Sequence, residues 1–209
     1  MDEGLLLILS GPSGSGKGTI IRNLMNADEF ALSVSMTTRA PRPGETEGVE
    51  YLFRSQDEFL KTIDNDGFLE YATFSGNYYG TPTSYVDEKM AQGKTVLLEI
   101  DVMGALQVKK KKPDAVLIFL VPPTFEILRE RLLGRGTESV EEVARRNEIA
   151  WEELRNLPEY DYLVINDFLG QALDEICTII RAEKLRIAHA GCKIKRFYGN
   201  NLEKLNQKD

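Results

Sequence analysis

The stretch that decides the fold is Leu5 to Thr19, LLLILSGPSGSGKGT. An apolar run from Leu5 to Leu9 stops abruptly at a segment dominated by Gly and Ser. A short apolar run bounded by turn residues predicts a strand buried on both faces of a parallel sheet. Gly11, Gly14 and Gly16 let the backbone curl and aim successive N–H groups inward, forming a nest for anionic oxygens. Lys17 then opens a stretch with apolar Ile20, Ile21 and Leu24 at helical spacing. The positive end of that helix faces the same point. Strand, glycine-rich loop and helix start together make a phosphate cradle of the G-x-x-x-x-G-K type. Gly18 stands where the pattern expects Ser or Thr, and the hydroxyl comes one residue later at Thr19. A Gly/Ser-rich loop can merely turn, but the strand before it and the helix after it favour nucleotide phosphates as the ligand.

Composition narrows the partners. The chain has 209 residues, 42% of them hydrophobic, enough for one full core with small appendages. A net charge of −7 and a pI near 5.0 have the wrong sign for a protein that lives on nucleic acid. Binding a phosphate-rich ligand then requires locally clustered Lys and Arg. The N-terminal MDEG is acidic, and the apolar run after it is too short for a signal peptide. No later stretch is long enough to span a bilayer, so the expectation is a cytoplasmic protein with no membrane partner. Cys177 and Cys192 have no metal-ligand spacing and read as buried or idle thiols. His189 is the one histidine, which excludes a His-based triad or a multi-histidine metal site.

Along the chain, Phe30 to Val34 reads as a second strand. Residues 35 to 53, SMTTRAPRPGETEGVEYLF, differ in character, and Pro41 and Pro43 exclude a regular helix. Glu50 to Phe53 and Phe68 to Phe74 look strand-like, Gln56 to Ile63 and Ser84 to Gln92 helical, and Asn77 to Gly80 a turn with two exposed tyrosines. Short strands without long crossover helices suggest a small antiparallel unit inserted between parallel-sheet elements. Thr95 to Asp101 returns to the buried-strand type and ends in acid. A helix over 105–112 and a strand over 115–121 complete a βαβ repeat. Phe125 to Leu133 is helical and runs into Gly134-Arg135-Gly136, a hinge-like break before a long charged helix, Ser139 to Leu157. Ser139 is its expected N-cap, with Glu142 at the capping-box position. Tyr162 to Ile165 closes the strands, and Leu169 to about Arg186 forms a last amphipathic helix before a polar tail. The expected fold is α/β: a three-layer core around a parallel sheet, with one insertion and one mobile helical segment.

Chemistry concentrates in three places besides the loop. Asp101, at the carboxyl end of a core strand, sits where doubly wound sheets place ligand groups. It could reach a phosphate-bound Mg²⁺ or a substrate hydroxyl or amine, with Glu99 a weaker candidate on the same face. Arg39 and Arg42 lie in a Pro-stiffened loop that could aim both guanidinium forks at one anion, with Tyr51 and Tyr79 supplying hydroxyls. Solvated loop arginines are the plain alternative. Arg135 and the Arg145-Arg146 pair suggest a segment that carries positive charge onto phosphates only when it closes. Lys109 to Lys112, at a helix end before Pro113, reads as a solvated cap complementing the dipole.

SGPSGSGKGT, SVSMTTRAPRPGE, FLEYATFSGNYYGTP, LLEIDVMGA, LRERLLGRGTES and VINDF follow one another in the order and at the separations seen in guanylate kinases. The resemblance runs from Leu5 to about Lys184, and TTRAPRPGE with GNYYGT is its most specific part. It implies phosphoryl transfer from ATP to GMP with Mg²⁺. The implied P-loop core spans residues 1–37, 89–125 and 157–209, with a mixed α+β GMP-binding insertion over 38–88 and a helical lid over 126–156. Ser35, Glu70, Thr81 and Asp101 resemble the family's guanine-contacting set, and Arg39, Arg42, Tyr51 and Tyr79 its GMP-phosphate set. Gly11, Pro12, Ser13, Gly14, Ser15, Gly16, Lys17, Gly18 and Thr19 resemble its ATP-phosphate loop, and Asn166 falls near the adenine side. The resemblance makes Lys17, Arg39, Arg135 and Arg146 the catalytic group. Mg²⁺ would be held mainly by ATP phosphates and water, Asp101 being a possible ligand. Two rivals remain: a catalytically dead guanylate-kinase-like scaffold module, which would lack the intact phosphate loop kept here, and a kinase for a different monophosphate.

Overall fold

The computed structural model describes residues 4–133 and 140–189 together with Gly199. The apolar run becomes β1 (Leu5–Ser10), every residue of it buried, and the loop feeds α1 (Lys17–Leu24). Then follow β2 (Phe30–Leu32), β3 (Ser35–Thr37), β4 (Tyr51–Phe53), α2 (Gln56–Asp64), β5 (Phe68–Phe74), β6 (Asn77–Pro82) and α3 (Thr83–Ala91). The second half of the chain supplies β7 (Thr95–Glu99), α4 (Val102–Lys111), β8 (Val116–Val121), α5 (Phe125–Leu133), α6 (Val140–Leu154), β9 (Tyr162–Ile165) and α7 (Leu169–Glu183).

Five strands form one parallel sheet in the order β2-β7-β1-β8-β9. Strands covered on both faces are apolar throughout, which is why β1, β7 and β8 show no alternation. Leu5, Leu7, Leu9, Ile118 and Leu120 pack on α1 and α7 through Ile20, Leu24, Ile176 and Ile180. Leu6, Ile8, Leu98 and Leu117 pack on the other side against Val86 of α3 and Ala105 and Val108 of α4. These are the three layers the sequence implies.

The second sheet, in the order β4-β3-β6-β5, is mixed rather than antiparallel, because β3 pairs parallel with β4. The expected strand over 30–34 is divided. β2 stays with β7, and after the Ser33 N–H bonds the Leu97 carbonyl at 2.9 Å the chain leaves to start β3 in the other sheet. The turn expected at Asn77–Gly80 is instead strand β6, paired to β5 from Asn77↔Phe74 onward. The turn sits just before it, where Ser75 and Gly76 take positive φ of 49° and 77°. Two residues at positive φ are what a tight hairpin needs to match strand twist, and the aromatic pair that follows suits a strand.

α4 begins three residues earlier than the periodicity suggests. Asp101 is not in the strand but caps the helix, its Oδ1 accepting the Gly104 N–H at 2.7 Å. The basic end of the helix is more than a solvated cap. Lys109 pairs with Asp161 at 2.8 Å, Lys111 reaches Asp66 and the Phe68 carbonyl, and Lys112 pairs with Asp87 at 2.9 Å. Lys111 and the Gln107–Tyr71 bonds at 3.2 and 3.3 Å tie the second sheet to α4, while Lys109 and Lys112 tie α4 to the segment before β9 and to α3.

The Gly134–Gly136 hinge, Arg135, the Ser139 cap, Cys192 and the polar tail lie outside the described residues. Cys177 is half-buried against the core. His189 sits in a short terminal turn, its ring nitrogens at the Glu183 and Asp114 carbonyls. No described helix is long and apolar enough to cross a membrane.

Candidate active site

The loop between β1 and α1 is shaped by backbone that only glycine adopts easily. Gly11 and Gly16 take φ of 135° and 100°. A Cβ at Gly11 would collide with the Leu120 carbonyl, and one at Gly16 with the Asn166 amide. Gly16 forms the left-handed cap of α1, so the free N–H groups of the helix start converge on the loop. Lys17 folds back over it, donating from Nζ to the Gly11 and Pro12 carbonyls at 2.6 and 3.1 Å. Ser13, Gly14, Gly16, Lys17, Gly18 and Thr19 line a cavity of about 210 Å³, closed on one side by Glu99. An ammonium, a helix N-terminus and inward N–H groups around that space are a donor set suited to phosphate oxygens.

Asn166 supports this loop from behind. It is 6% exposed and donates from Nδ2 to the Ser15 carbonyl at 2.8 Å. Arg131, which the sequence reading passed over, joins the same network, donating to the Asn166 carbonyl at 2.9 Å and to the Ser15 carbonyl at 3.5 Å. In the sequence Arg131 stands only four residues before the candidate Arg135. From α6, Arg146 donates to the Ser13 hydroxyl at 2.6 Å, bringing a third cation to the front of the loop.

A second cavity, about 260 Å³, opens where the two sheets meet. Its lining includes Ser35, Tyr51, Glu70, Tyr79, Glu99 and Asp101. Glu99 therefore borders both cavities. Glu70 is 7% exposed, and burial holds its carboxyl above the usual carboxylate range, partly opposed by Thr81 and reinforced by Asp101. The N-terminus of α4 faces this acid pair: a Cβ at Gly104 would stand 3.2 Å from Glu70 Oε2 and 3.3 Å from Asp101 Oδ1. A desolvated carboxylate, with an exposed one beside it at a helix start, is suited to adjacent N–H donors. Thr81 adjoins Glu70. Fully buried, it donates its hydroxyl to Glu70 Oε1 at 2.6 Å and fixes that carboxylate from behind.

Beside the Tyr51 wall of this cavity, Arg39 lies over the Tyr51 and Phe53 rings, 5.4 and 5.9 Å from their centroids. Both oxygens of Glu45 accept from its Nη2 at 2.9 Å, which raises the guanidinium pKa and lowers that of the carboxyl. Glu45 also accepts the Arg42 backbone N–H at 2.8 Å, bracing the whole Pro-stiffened turn. The sequence reading missed this brace, although Glu45 closes the very motif TTRAPRPGE. Tyr51 meets Tyr79 edge-on at 5.9 Å, and burial raises the Tyr51 phenol, keeping it a donor. Arg42 is exposed on the same turn, and neither arginine is part of the cavity lining.

Known proteins agree with this geometry. The guanylate kinase family profile matches residues 3–183. The chain is 53% identical over 184 residues to a guanylate kinase of Streptococcus pneumoniae (strain R6), covering 87% of this chain and 88% of that one. It is 52% identical over 187 residues to a guanylate kinase of Lactococcus lactis, covering 89% and 91%. The crystal structure of a guanylate kinase from Anaplasma phagocytophilum superposes with a TM-score of 0.71 at 30% identity, spanning 100% of this chain and 98% of that one. With its phosphate loop, its paired cavities and these matches over nearly its whole length, the chain belongs to the guanylate kinase family.

Proposed function

We propose that the chain transfers the γ-phosphoryl group of ATP to GMP, giving ADP and GDP. The observation that carries this reading is the pair of cavities meeting at Glu99, one lined by the phosphate loop and Lys17 and one holding the buried Glu70 beside Asp101. Guanine offers two adjacent donors, N1–H and the 2-amino group, which suit the Glu70 carboxylate. Adenine sets a lone pair at N1 against the same carboxylate. Ser35 and Asp101 complete the base contacts, and Arg39, Arg42, Tyr51 and Tyr79 take the GMP phosphate. Residues 11–19 hold the ATP phosphates, and Asn166 with Arg131 supports that loop near the adenine side.

Little covalent chemistry is asked of the protein. The attacking GMP phosphate oxygen is already largely ionised near neutral pH, its second pKa being about 6, so no general base is needed. His189, the sole histidine, is accordingly engaged with two backbone carbonyls in the terminal turn. What remains is to bring two anions into line and neutralise the migrating group, the part assigned to Lys17, Arg39, Arg146 and Arg135. The donor set around the loop fits Mg²⁺, a hard cation that binds carboxylate, phosphate and water. Glu99 faces Gly18, and Asp101 has one oxygen committed to its helix cap, so Glu99 is the better placed carboxylate here. Among the described residues no group of three or more His, Cys, Asp or Glu side chains could hold a metal ion. When bound, the ion supplies charge neutralisation at the phosphates.

In this reading the sheet β4-β3-β6-β5 with α2 is the GMP-binding insertion, α5 and α6 are the lid, and the rest is the ATP-binding core. The setting is the cytoplasm, where ATP and GMP are at hand. A kinase for another monophosphate is the competing reading. Measuring ADP release with GMP, AMP, UMP and CMP in parallel separates the two. Release with GMP alone is expected, and equal rates with AMP would refute the reading.

A further inference from the structure

β5 is the outer strand of the second sheet, and it carries Glu70. Its register against β6 slips between Phe68 and Glu70, where the pairing steps two residues along β5 for one along β6. A bulge of this kind bends a strand and re-aims its side chains. An outer strand also has no ladder partner on one side to hold such a bend.

The open side of β5 is taken up by α4. Gln107 meets Tyr71, the residue after Glu70, with both ends of its amide. Its Oε1 accepts the Tyr71 N–H at 3.2 Å, and its Nε2 donates to the Tyr71 carbonyl at 3.3 Å. A side-chain amide bonded in both directions to one backbone unit stands in for a neighbouring strand. One turn further along α4, Lys111 Nζ donates to the Phe68 carbonyl at 2.7 Å. One turn earlier, Gly104 leaves room for the Glu70 carboxylate, since a Cβ there would stand 3.2 Å from its Oε2. One face of one helix thus holds the bulge on both sides, at Phe68 and at Tyr71, with Glu70 between them. Gln107 itself does not line the cavity that holds Glu70.

We infer that Gln107 is a positioning residue for the choice of purine: by holding the Tyr71 backbone it fixes the direction in which the bulged strand presents Glu70 to the base. It acts through Glu70 and touches neither nucleotide. The inference rests on the reading of that cavity as the guanine site. To accept N1–H and the 2-amino group together, a carboxylate must lie close to the plane of the base. An outer strand free to twist at Tyr71 would lose that alignment. The clearest readout compares GMP with inosine monophosphate, whose base keeps N1–H and lacks the 2-amino group.

The test is kcat and KM for GMP and for inosine monophosphate, with thermal unfolding. It takes the parent, Gln107→Leu, Gln107→Glu, Glu70→Gln and the Gln107→Leu/Glu70→Gln double variant. Misplacing a group by about 1 Å can cost about a hundredfold, so Gln107→Leu should lower kcat/KM for GMP about 10- to 100-fold. The loss should lie mostly in KM, with kcat within about threefold, because the phosphate loop is untouched. Inosine monophosphate has one bond fewer to lose, so the preference for GMP over it should shrink about tenfold. Gln107→Glu keeps the side-chain length, sets an acceptor against the Tyr71 carbonyl and should shrink the preference at least as far. Tm should stay within about 5 °C of the parent in both, since Lys111 remains and water reaches the freed groups of exposed Tyr71. The double variant should be little worse than Glu70→Gln alone, because both changes act on one contact. A parental KM for GMP in Gln107→Leu, a parental preference for GMP in Gln107→Glu, or defects that multiply in the double variant would each overturn the inference, whatever the change in Tm. Absence of GMP-dependent turnover in the parent would instead refute the proposed function.

Discussion

Lys17 and Glu70 meet opposite electrostatic demands, and each gives a distinct test. Lys17 rests on the Gly11 and Pro12 carbonyls and can swing only a short way to reach phosphate in the same cavity. Lys17→Met should lower kcat by at least about two to three orders of magnitude, the scale for losing one donor to developing charge. GMP affinity, measured by calorimetry, should stay within about twofold. Glu70 is held above its unfolded pKa by burial. A carboxyl whose folded pKa is raised binds its proton more tightly in the native state. Its contribution to stability is therefore full below the unfolded pKa, about 4.3, and is lost as pH rises through the folded value. The Tm difference between Glu70→Gln and the parent should thus be positive at neutral pH and shrink toward zero at about pH 4. A difference that grows on acidification would mean that the carboxylate is stabilised by its surroundings.

At the scale of elements, legibility followed how local the determinants were. The loop, α1, β5, β8, α5 and β9 were readable because strand burial, glycine placement and helical spacing are written in consecutive residues. The hairpin between β5 and β6 was misplaced because Ser75 adopts a positive φ that Ser rarely takes, so the turn signal was carried by Gly76 alone. Asp101 read as a strand end because capping depends on the direction the next helix takes, which residues 95–101 do not encode. The buttress of Asn166 and Arg131 behind Ser15 joins residues more than a hundred positions apart, beyond any local pattern. That buttress predicts a packing limit on the loop. Gly16→Ala forces a side chain into positive φ and against the Asn166 amide. Unfolding in denaturant should show a loss of roughly 1–3 kcal/mol, with KM for ATP raised. An unchanged midpoint would show that the loop relaxes without strain.

For the molecule as a whole, the parallel sheet was legible from composition and order, while the way its neighbours dock on it was not. β3 begins the second sheet at Ser35, and α3 returns to the core, so the insertion is framed by two elements the sequence assigns elsewhere. The docking relies on Lys111 and Gln107, side chains whose partners lie 45 and 36 residues away. That docking places Glu70 beside Asp101 and the start of α4, and so creates out of two separate sheets the cavity proposed above for the base. The central claim is that this cavity, through Glu70, chooses guanine. Its most direct test is kcat/KM for GMP in Glu70→Gln against the parent. Gln replaces one acceptor oxygen with a donor, and losing a charge-assisted bond of about 2–3 kcal/mol should lower kcat/KM some 30- to 150-fold. A variant that phosphorylates GMP as efficiently as the parent while still refusing AMP would contradict the account.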